Sequence, residues 1–500
     1  MKIVNLDKPI WKQLGRMRVF IPSKQLISLA LSPLFLVSLL SSCIFLQHKS
    51  IKPQIEIPDS WNAKIHASLK KEPLNERQLS TWWESFEDPV LSSLIREAME
   101  RNLDVKNALS KVREAEARKY LAKANFFPVV GLSGIFNISR RAAEKITKET
   151  YEAGFQSSWT ADIFGGIRAS YEASEFDLQS SKEYALGVLN NLVSQVVKTY
   201  IEIRTLQNRI KEAENSLKVQ EEIYELIKKE YDVGLKDELT VNQILYTVES
   251  TRSSIPNLTS QLEEAKNRLS ILLGRAPGNL SEEIDKPGPV PCPSVNPMLG
   301  IPGEVIKQRP DIRQVEKKLL AQISRVKAAY SELYPGLSLE GSFAFQSSSL
   351  GNLSASRAWT ISFGPKILWT LFKGQAIRHN IELQKVIEEQ YLIEYEKTII
   401  KAIEEVENAL TAYGNEHERL ISLKKAAMAA EEAFSLSWKK YQAGLSAFSE
   451  VLENQKVFLS LRDQIIQREG ALASNLVELI KALGGGSGQI TDVSIKGGIE

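Results

Sequence analysis

Four histidines (His48, His66, His379, His417) and two cysteines (Cys43, Cys292) are all the imidazole and thiol chemistry that 500 residues contain. They are scattered. No HExxH, GxSxG or CxxC pattern occurs, so local sequence builds no zinc-hydrolase site, nucleophile elbow or dithiol centre. The GGGSGQ stretch from Gly484 lacks the lysine and spacing of a phosphate loop. Two thiols also exclude a disulfide framework, a cysteine-based zinc module and an iron–sulfur cluster. With 63 Lys+Arg against 61 Asp+Glu the chain lacks the basic excess of a nucleic-acid binder. The expectation is a protein that is no enzyme, with no metal, no cofactor and no nucleic-acid partner.

One thiol has its chemistry written beside it. Lys2, Lys8, Lys12, Arg16, Arg18 and Lys24 face a single acid, Asp7, and an apolar run from Leu26 to Leu40 follows. That order is a secretory signal, and the run is too short and too abruptly ended for a membrane span. It closes on Leu40-Ser41-Ser42-Cys43, which is similar to the lipobox of bacterial lipoproteins. The similarity implies cleavage after residue 42 and acylation of Cys43. Several acyl chains, at about 0.8 kcal/mol per buried methylene, make a durable anchor.

The rest of the chain is written twice. Asn102-Leu103-Asp104-Val105 matches Arg309-Pro310-Asp311-Ile312 at an offset of 207, and Phe127-Pro128 matches Tyr334-Pro335 likewise. Ile163-Phe164-Gly165-Gly166 matches Leu371-Phe372-Lys373-Gly374 at 208, and the YxxGL stretches from Tyr231 and Tyr441 match at 210, as do Leu273-Gly274 and Leu483-Gly484. Ordered matches at nearly constant offset mark an internal duplication. The expected organisation is a signal over 1–42, a lipid-anchored segment over 43–92, a first repeat over 93–283 and a proline-rich linker over 284–300. A second repeat over 301–484 and a loose tail over 485–500 complete it.

Each half changes period in the same order. Leu94, Ala98, Val105, Ala108, Leu109, Val112 and Ala115 fall at helical spacing, which Pro128 ends. Val130 to Ile138 and Tyr151 to Ile163 then alternate with period two, and Leu337 to Phe345 and Trp359 to Phe363 repeat the pattern. Such runs have the length of tilted transmembrane strands, about 9–11 residues, and equally that of half-buried hairpins on a soluble domain. Beyond each hairpin comes a proline-free helical stretch from Ile167 to about Tyr231, or from Ala376 to Gln442, then a Gly-Leu tip and a returning helix. Leu192, Val196, Tyr200, Ile203, Leu206, Ile210, Ala213 and Leu217 step at a coiled-coil period. Four strands per chain cannot close a barrel and open edges cannot face lipid, so two or three copies are needed. Two would give a filled barrel; three would give twelve strands and room for a lumen.

WWESFEDPVLSSLIREAMERNLDV, SSWTADIFGGIRASYEASEFDLQSS, YDVGLKDELTVNQ, QRPDIRQVEKKLLAQ, YPGLSLEGSF, LFKGQAIR and YQAGLSAFSEVLENQ, in this order, resemble the TolC-like outer-membrane efflux factors. The lipoprotein, NodT-like branch that serves RND multidrug pumps is the most similar. The resemblance implies a membrane α+β fold, a trimeric 12-stranded outer-membrane β-barrel continuous with a long periplasmic α-helical barrel. It implies a channel that exports drugs or other small molecules, with a periplasmic adaptor and an inner-membrane RND-type pump as partners. Ile44, in place of an Asp after the acylated cysteine, fits sorting to the outer membrane. By the same resemblance Glu450 and Glu453 line the periplasmic aperture, Tyr441 helps hold it closed, and Gly234-Leu235 and Gly444-Leu445 are adaptor-docking tips. The family's acid partner for that tyrosine falls where this chain has Thr240. Two other readings stay open at this point: the exit duct of a type I protein-secretion system, and a pore-less periplasmic coiled-coil lipoprotein.

Overall fold

The computed structural model describes residues 55–63, 81–141, 146–278, 280, 282–291, 302–354 and 358–485. After a 3-10 turn, helix α1 (Pro89–Arg101) starts on Asp88, whose carboxylate accepts the Val90 and Leu91 amides at 2.9 and 3.1 Å. Asn102 then ends α1 and begins α2 (Leu103–Ala124), its side-chain oxygen accepting from Asp104 and Val105. The single helix expected across this stretch is therefore two. An Asn at N-cap satisfies two orphan amides while turning its own backbone out of the helix, ψ 135°. In the second half Arg309 and Pro310 make the same break between α5 (Pro302–Gln308) and α6 (Pro310–Ser331).

Strands β1 (Val129–Arg141), β2 (Ile146–Ala161), β3 (Gly336–Ser347) and β4 (Trp359–Leu368) form one antiparallel sheet in chain order. Its register settles which residues share a face. Leu132, Phe155, Phe343 and Ile361 lie in one row across all four strands, with Gly134, Ala153, Phe345 and Trp359 in the next. The opposite face carries Gly131, Gln156, Ser342 and Ser362, then Ser133, Gly154, Ala344 and Thr360. One face is thus apolar and aromatic and the other polar. Gly154 lies where a Cβ would sit within 2.5 Å of Phe343 and Ala344, so only glycine lets β2 and β3 approach there.

Each hairpin leads into a helix of 67 residues, α3 (Gly166–Asp232) or α7 (Ala376–Gln442), about 100 Å long. The returning helices are α4 (Glu238–Leu272) and α8 (Phe448–Ala482). Pro256 lies inside α4 without ending it. Where α3 begins, the Asp162 carboxylate takes the Ile167 and Arg168 amides at 3.0 and 2.8 Å.

The apolar interior is in separate pieces. A mid-helix cluster joins Val196, Tyr200 and Ile203 of α3 to Leu91 and Ile95 of α1, Leu269 of α4, Leu410 of α7 and Val477 of α8. A second lies at the helical tips and is described below. Inside the first, Tyr200 donates to Asp88 at 2.7 Å while Arg204 donates to the Tyr200 hydroxyl. Arg204 and Gln207 also bond the carbonyl of Ile284, and Asn208 bonds that of Gly288 at 2.9 Å. The described part of the stretch expected to be a spacer is therefore fastened to α3. Its proline content concealed the polar partners waiting on the helix.

Candidate functional site

Two regions could do what the sequence pattern implies: the sheet and the pair of helical tips. On the sheet, the apolar face carries aromatic pairs, Phe136 against Tyr151 at 4.7 Å and Phe343 against Phe345 at 5.4 Å. The polar face carries the Lys366–Glu340 ion pair at 2.8 Å and the Ser342–Ser362 hydrogen bond at 2.8 Å. One face suited to lipid and one suited to water is the pattern of a membrane barrel wall. Among the described residues β1 and β4 have no further strand beside them. Among the described residues no helix is long and apolar enough to cross a membrane.

Trp159 and Trp369 fix the sheet to the helices. The indole N–H of Trp159 donates to the Phe126 carbonyl at 2.8 Å, and that of Trp369 to the Leu333 carbonyl at 3.1 Å. Phe164 stacks on Tyr334 at 4.6 Å between the two halves.

At the far ends, α3 turns into α4 and α7 into α8 through the same backbone device. Gly234 and Gly444 are left-handed, φ 78° and 72°. The amides of Gly234 and Leu235 close on Tyr231 and Glu230, those of Gly444 and Leu445 on Tyr441 and Lys440. This six-to-one closure needs positive φ, which explains the glycines. It leaves Leu235 and Leu445 pointing out, 72% and 78% exposed.

Under the tips the two hairpins share a core of Ile223, Ile227, Ile244, Val248, Phe448, Val451 and Leu452. Tyr441 packs at its edge, 5.2 Å from the Phe448 ring. Its hydroxyl reaches Glu230 at 3.5 Å, and the Lys236 ammonium lies 4.4 Å above its ring and 3.9 Å from Glu230. These contacts cross from one repeat to the other. Thr240 does not join them. Its amide and hydroxyl both bond Asp237, the N-cap of α4, and the Thr240 hydroxyl holds the Asp237 carboxyl below its usual range.

Sequence reading missed Glu230 and Lys236, because nothing in their spacing points across repeats. The available signal was that Glu230 lies one helical turn before Gly234, where the second repeat has Lys440. Glu450 and Glu453 are exposed one turn apart at the start of α8, where the helix dipole favours acids. Cys43 and Cys292 lie outside the described residues.

The sequence matches the family model described as outer membrane efflux protein twice, over residues 94–275 and 301–485. Nodulation protein T of Rhizobium leguminosarum bv. trifolii is 30% identical over 387 residues, 75% of this chain and 81% of that protein. The probable outer membrane lipoprotein SilC of Salmonella typhimurium is 27% identical over 463 residues, covering 92% and 98%. Among solved structures, the outer-membrane channel OprN superposes with a TM-score of 0.80 at 29% identity, covering 87% of this chain and 99% of that one. The four strands, the paired long helices and the two repeats have their counterparts there. The chain belongs to the outer membrane efflux protein family, and it is a channel component of efflux systems rather than an enzyme.

Proposed function

We propose that three copies of this chain close a twelve-stranded barrel in the outer membrane and continue as one helical duct into the periplasm. The observation that carries the reading is the four-stranded sheet with one apolar face, one polar face and, among the described residues, two free edges. Free edges in lipid leave backbone groups without partners, so a spanning sheet of this kind must be closed by other copies. Acylated Cys43 anchors each copy. A periplasmic adaptor and an inner-membrane RND-type pump engage the duct at Gly234-Leu235 and Gly444-Leu445, and the cargo is drugs or other small molecules. Energy comes from the pump. The pore-less lipoprotein reading falls with membership of a channel family.

In the resting duct, Glu450 and Glu453 of every copy surround the periplasmic aperture and favour cations. Tyr441 holds it shut. Glu230 and Lys236 support this role, since they grip the tyrosine from the neighbouring hairpin in place of the Thr240 contact. The test is single-channel conductance of the acylated protein in planar bilayers beside the double change Glu450→Ala, Glu453→Ala. Small cation-selective steps that widen or lose selectivity in the variant are expected. Steps that the variant leaves unchanged would remove the gate from these residues, and silence with a monomeric mass would remove the duct.

A further inference from the structure

A cavity of about 450 Å³ lies where the two repeats meet at the helical end of the sheet. That volume suits a small organic molecule. Its walls are the turn between β2 and α3, the ends of α2 and α6, and Asn380 and Gln384 of α7. Thr160 and Gly336 on its rim continue the polar rows of β2 and β3, one alternation beyond Ser158 and Ser338. The cavity therefore opens on the water-suited face, which the barrel of the proposed function turns inward, in the path of the cargo.

One wall is aromatic. Phe164 and Tyr334 stack at 4.6 Å with their planes 10° apart, and they stay 40% and 37% exposed. The charged lining is Asp162, Glu332 and Arg325, and the guanidinium of Arg325 is taken by Asp177. The balance left in the cavity is negative. Asp162 holds the first amides of α3, whereas the Glu332 carboxylate has one side-chain partner among the described residues, the Asn380 amide at 3.3 Å.

The other repeat shows that these acids are not needed to build the junction. Glu332 is the C-cap of α6, an end where the helix dipole disfavours a carboxylate. Its equivalent 207 residues earlier, the C-cap of α2, is the neutral Asn125, and Asp162 is matched by Thr370. An acid placed against the dipole, beside an open aromatic wall and absent from the equivalent helix end, has a use other than folding.

We propose that this cavity is a cargo site that takes planar aromatic cations. The rings of Phe164 and Tyr334 receive the planar part, and the carboxylates of Glu332 and Asp162 supply the countercharge. A carboxylate beside low-dielectric ring surfaces attracts a cation more strongly than one in open water. The site rests on the inward-facing polar sheet of the proposed function and names a class of cargo for it.

The probe is ethidium, a planar ring system with a fixed positive charge. Its binding to the full-length acylated protein in lipid nanodiscs is read by equilibrium dialysis, with protein-free nanodiscs as the blank. Phenanthridine, the same ring core without the fixed charge, is the comparison. Ethidium is expected to bind at least about tenfold more tightly than phenanthridine. Glu332→Gln should weaken ethidium about tenfold and leave phenanthridine within about twofold. Glu332→Asp, which keeps the charge, should hold ethidium within about threefold of the unchanged protein, and Phe164→Leu should weaken both probes about threefold to fivefold. Ethidium uptake no greater than in the blank would overturn the site. So would a Glu332→Gln protein that binds ethidium normally, or one that loses both probes equally, because charge would then not be what is recognised. Single-channel conductance of the same preparations separates the two readings. A conducting channel that takes up no ethidium refutes only the site, and absence of a channel refutes the duct itself.

Discussion

Comparing the two repeats position by position separates what the fold demands from what each half does. The backbone solutions are kept in both. Left-handed glycines close both tips, a tryptophan ties each strand pair to the turn after the preceding helix, and the carbonyl at the end of each returning helix is capped from the residue 170 or 173 positions upstream. The side chains that serve those solutions have diverged. Asn102 donates to the Leu272 carbonyl at 2.9 Å, a neutral amide bonding one chain end. Its equivalent, Arg309, donates to the Ala482 carbonyl at 2.8 Å and also binds Asp311 and Glu405. One half thus uses a single hydrogen bond where the other uses a buried guanidinium with three partners.

That contrast sets the largest expected effect. Arg309→Ala should destabilise the protein by about 2–4 kcal/mol, because a carbonyl and two carboxylates lose a charged donor together. Asn102→Ala, which removes one cap and one carbonyl bond, should cost about 1–2 kcal/mol. Thermal melting of both variants in detergent checks the order. Equal losses would mean that the second repeat's ion cluster adds nothing beyond the shared cap.

The mid-helix layer offers the next test. Tyr200 is buried in the first repeat where the second has Leu410, so only the first half has a titratable group at that point of the core. Burial, with the hydrogen bond to Asp88 behind it, pushes the Tyr200 phenol up to about 12. A raised phenol stabilises the fold fully below its unfolded value near 10, and that contribution disappears as pH climbs through about 12. Stability should therefore fall by about 2–3 kcal/mol between pH 10 and pH 12 from this group. Tyr200→Phe should lower stability near neutral pH by about 1 kcal/mol and flatten the alkaline limb. Chemical denaturation across that pH range reads both. An unchanged alkaline limb in the variant would move the titration elsewhere.

Helix packing differs at one further equivalent pair. Gly470 of α8 faces Thr205 of α3 so closely that a Cβ would lie 2.3 Å from the threonine hydroxyl, while its equivalent, Ser260 of α4, is exposed. Gly470→Leu is expected to destabilise by about 1–3 kcal/mol, since α3 and α8 must move apart. Ser260→Leu should stay within about 0.5 kcal/mol. A similar cost at both positions would show that Ser260 is covered in the assembly, which proteolysis of the intact and dissociated protein would confirm.

These pairs also show how far the sequence could be read. Period two along the strands that carry Leu132, Phe155, Phe343 and Ile361 announces the apolar sheet face, because a strand exposes alternate residues whatever its partner. Gly234 and Gly444 are legible because positive φ leaves few alternatives to glycine. The break at Asn102 is not, since an asparagine inside a helical period reads equally as a surface residue or a cap. The bonds of Arg204 to the linker and the grip of Glu230 and Lys236 on Tyr441 were hidden for a different reason. They join segments whose nearness is decided by packing of whole helices and by no local spacing.

The smallest effect tests the divergence at the tips themselves. Tyr441 and Tyr231 occupy the same position in the YxxGL pattern, but among the described residues only Tyr441 has an acid and an ammonium from the other hairpin against it. Its hydrogen bond is long, 3.5 Å to Glu230, so it is worth about 0.5–1 kcal/mol at most. If that bond holds the duct shut, Tyr441→Phe should raise the open probability of single channels about two- to fivefold, through an equilibrium shift of that size. The ring stays in place, so the Lys236 contact survives. Lys236→Met removes that contact and should add a further, comparable step. Tyr231→Phe should leave opening unchanged, because Tyr231 is exposed. Equal responses from the two tyrosines would mean that the tips move as one, and the side-chain differences between them would then belong to docking alone.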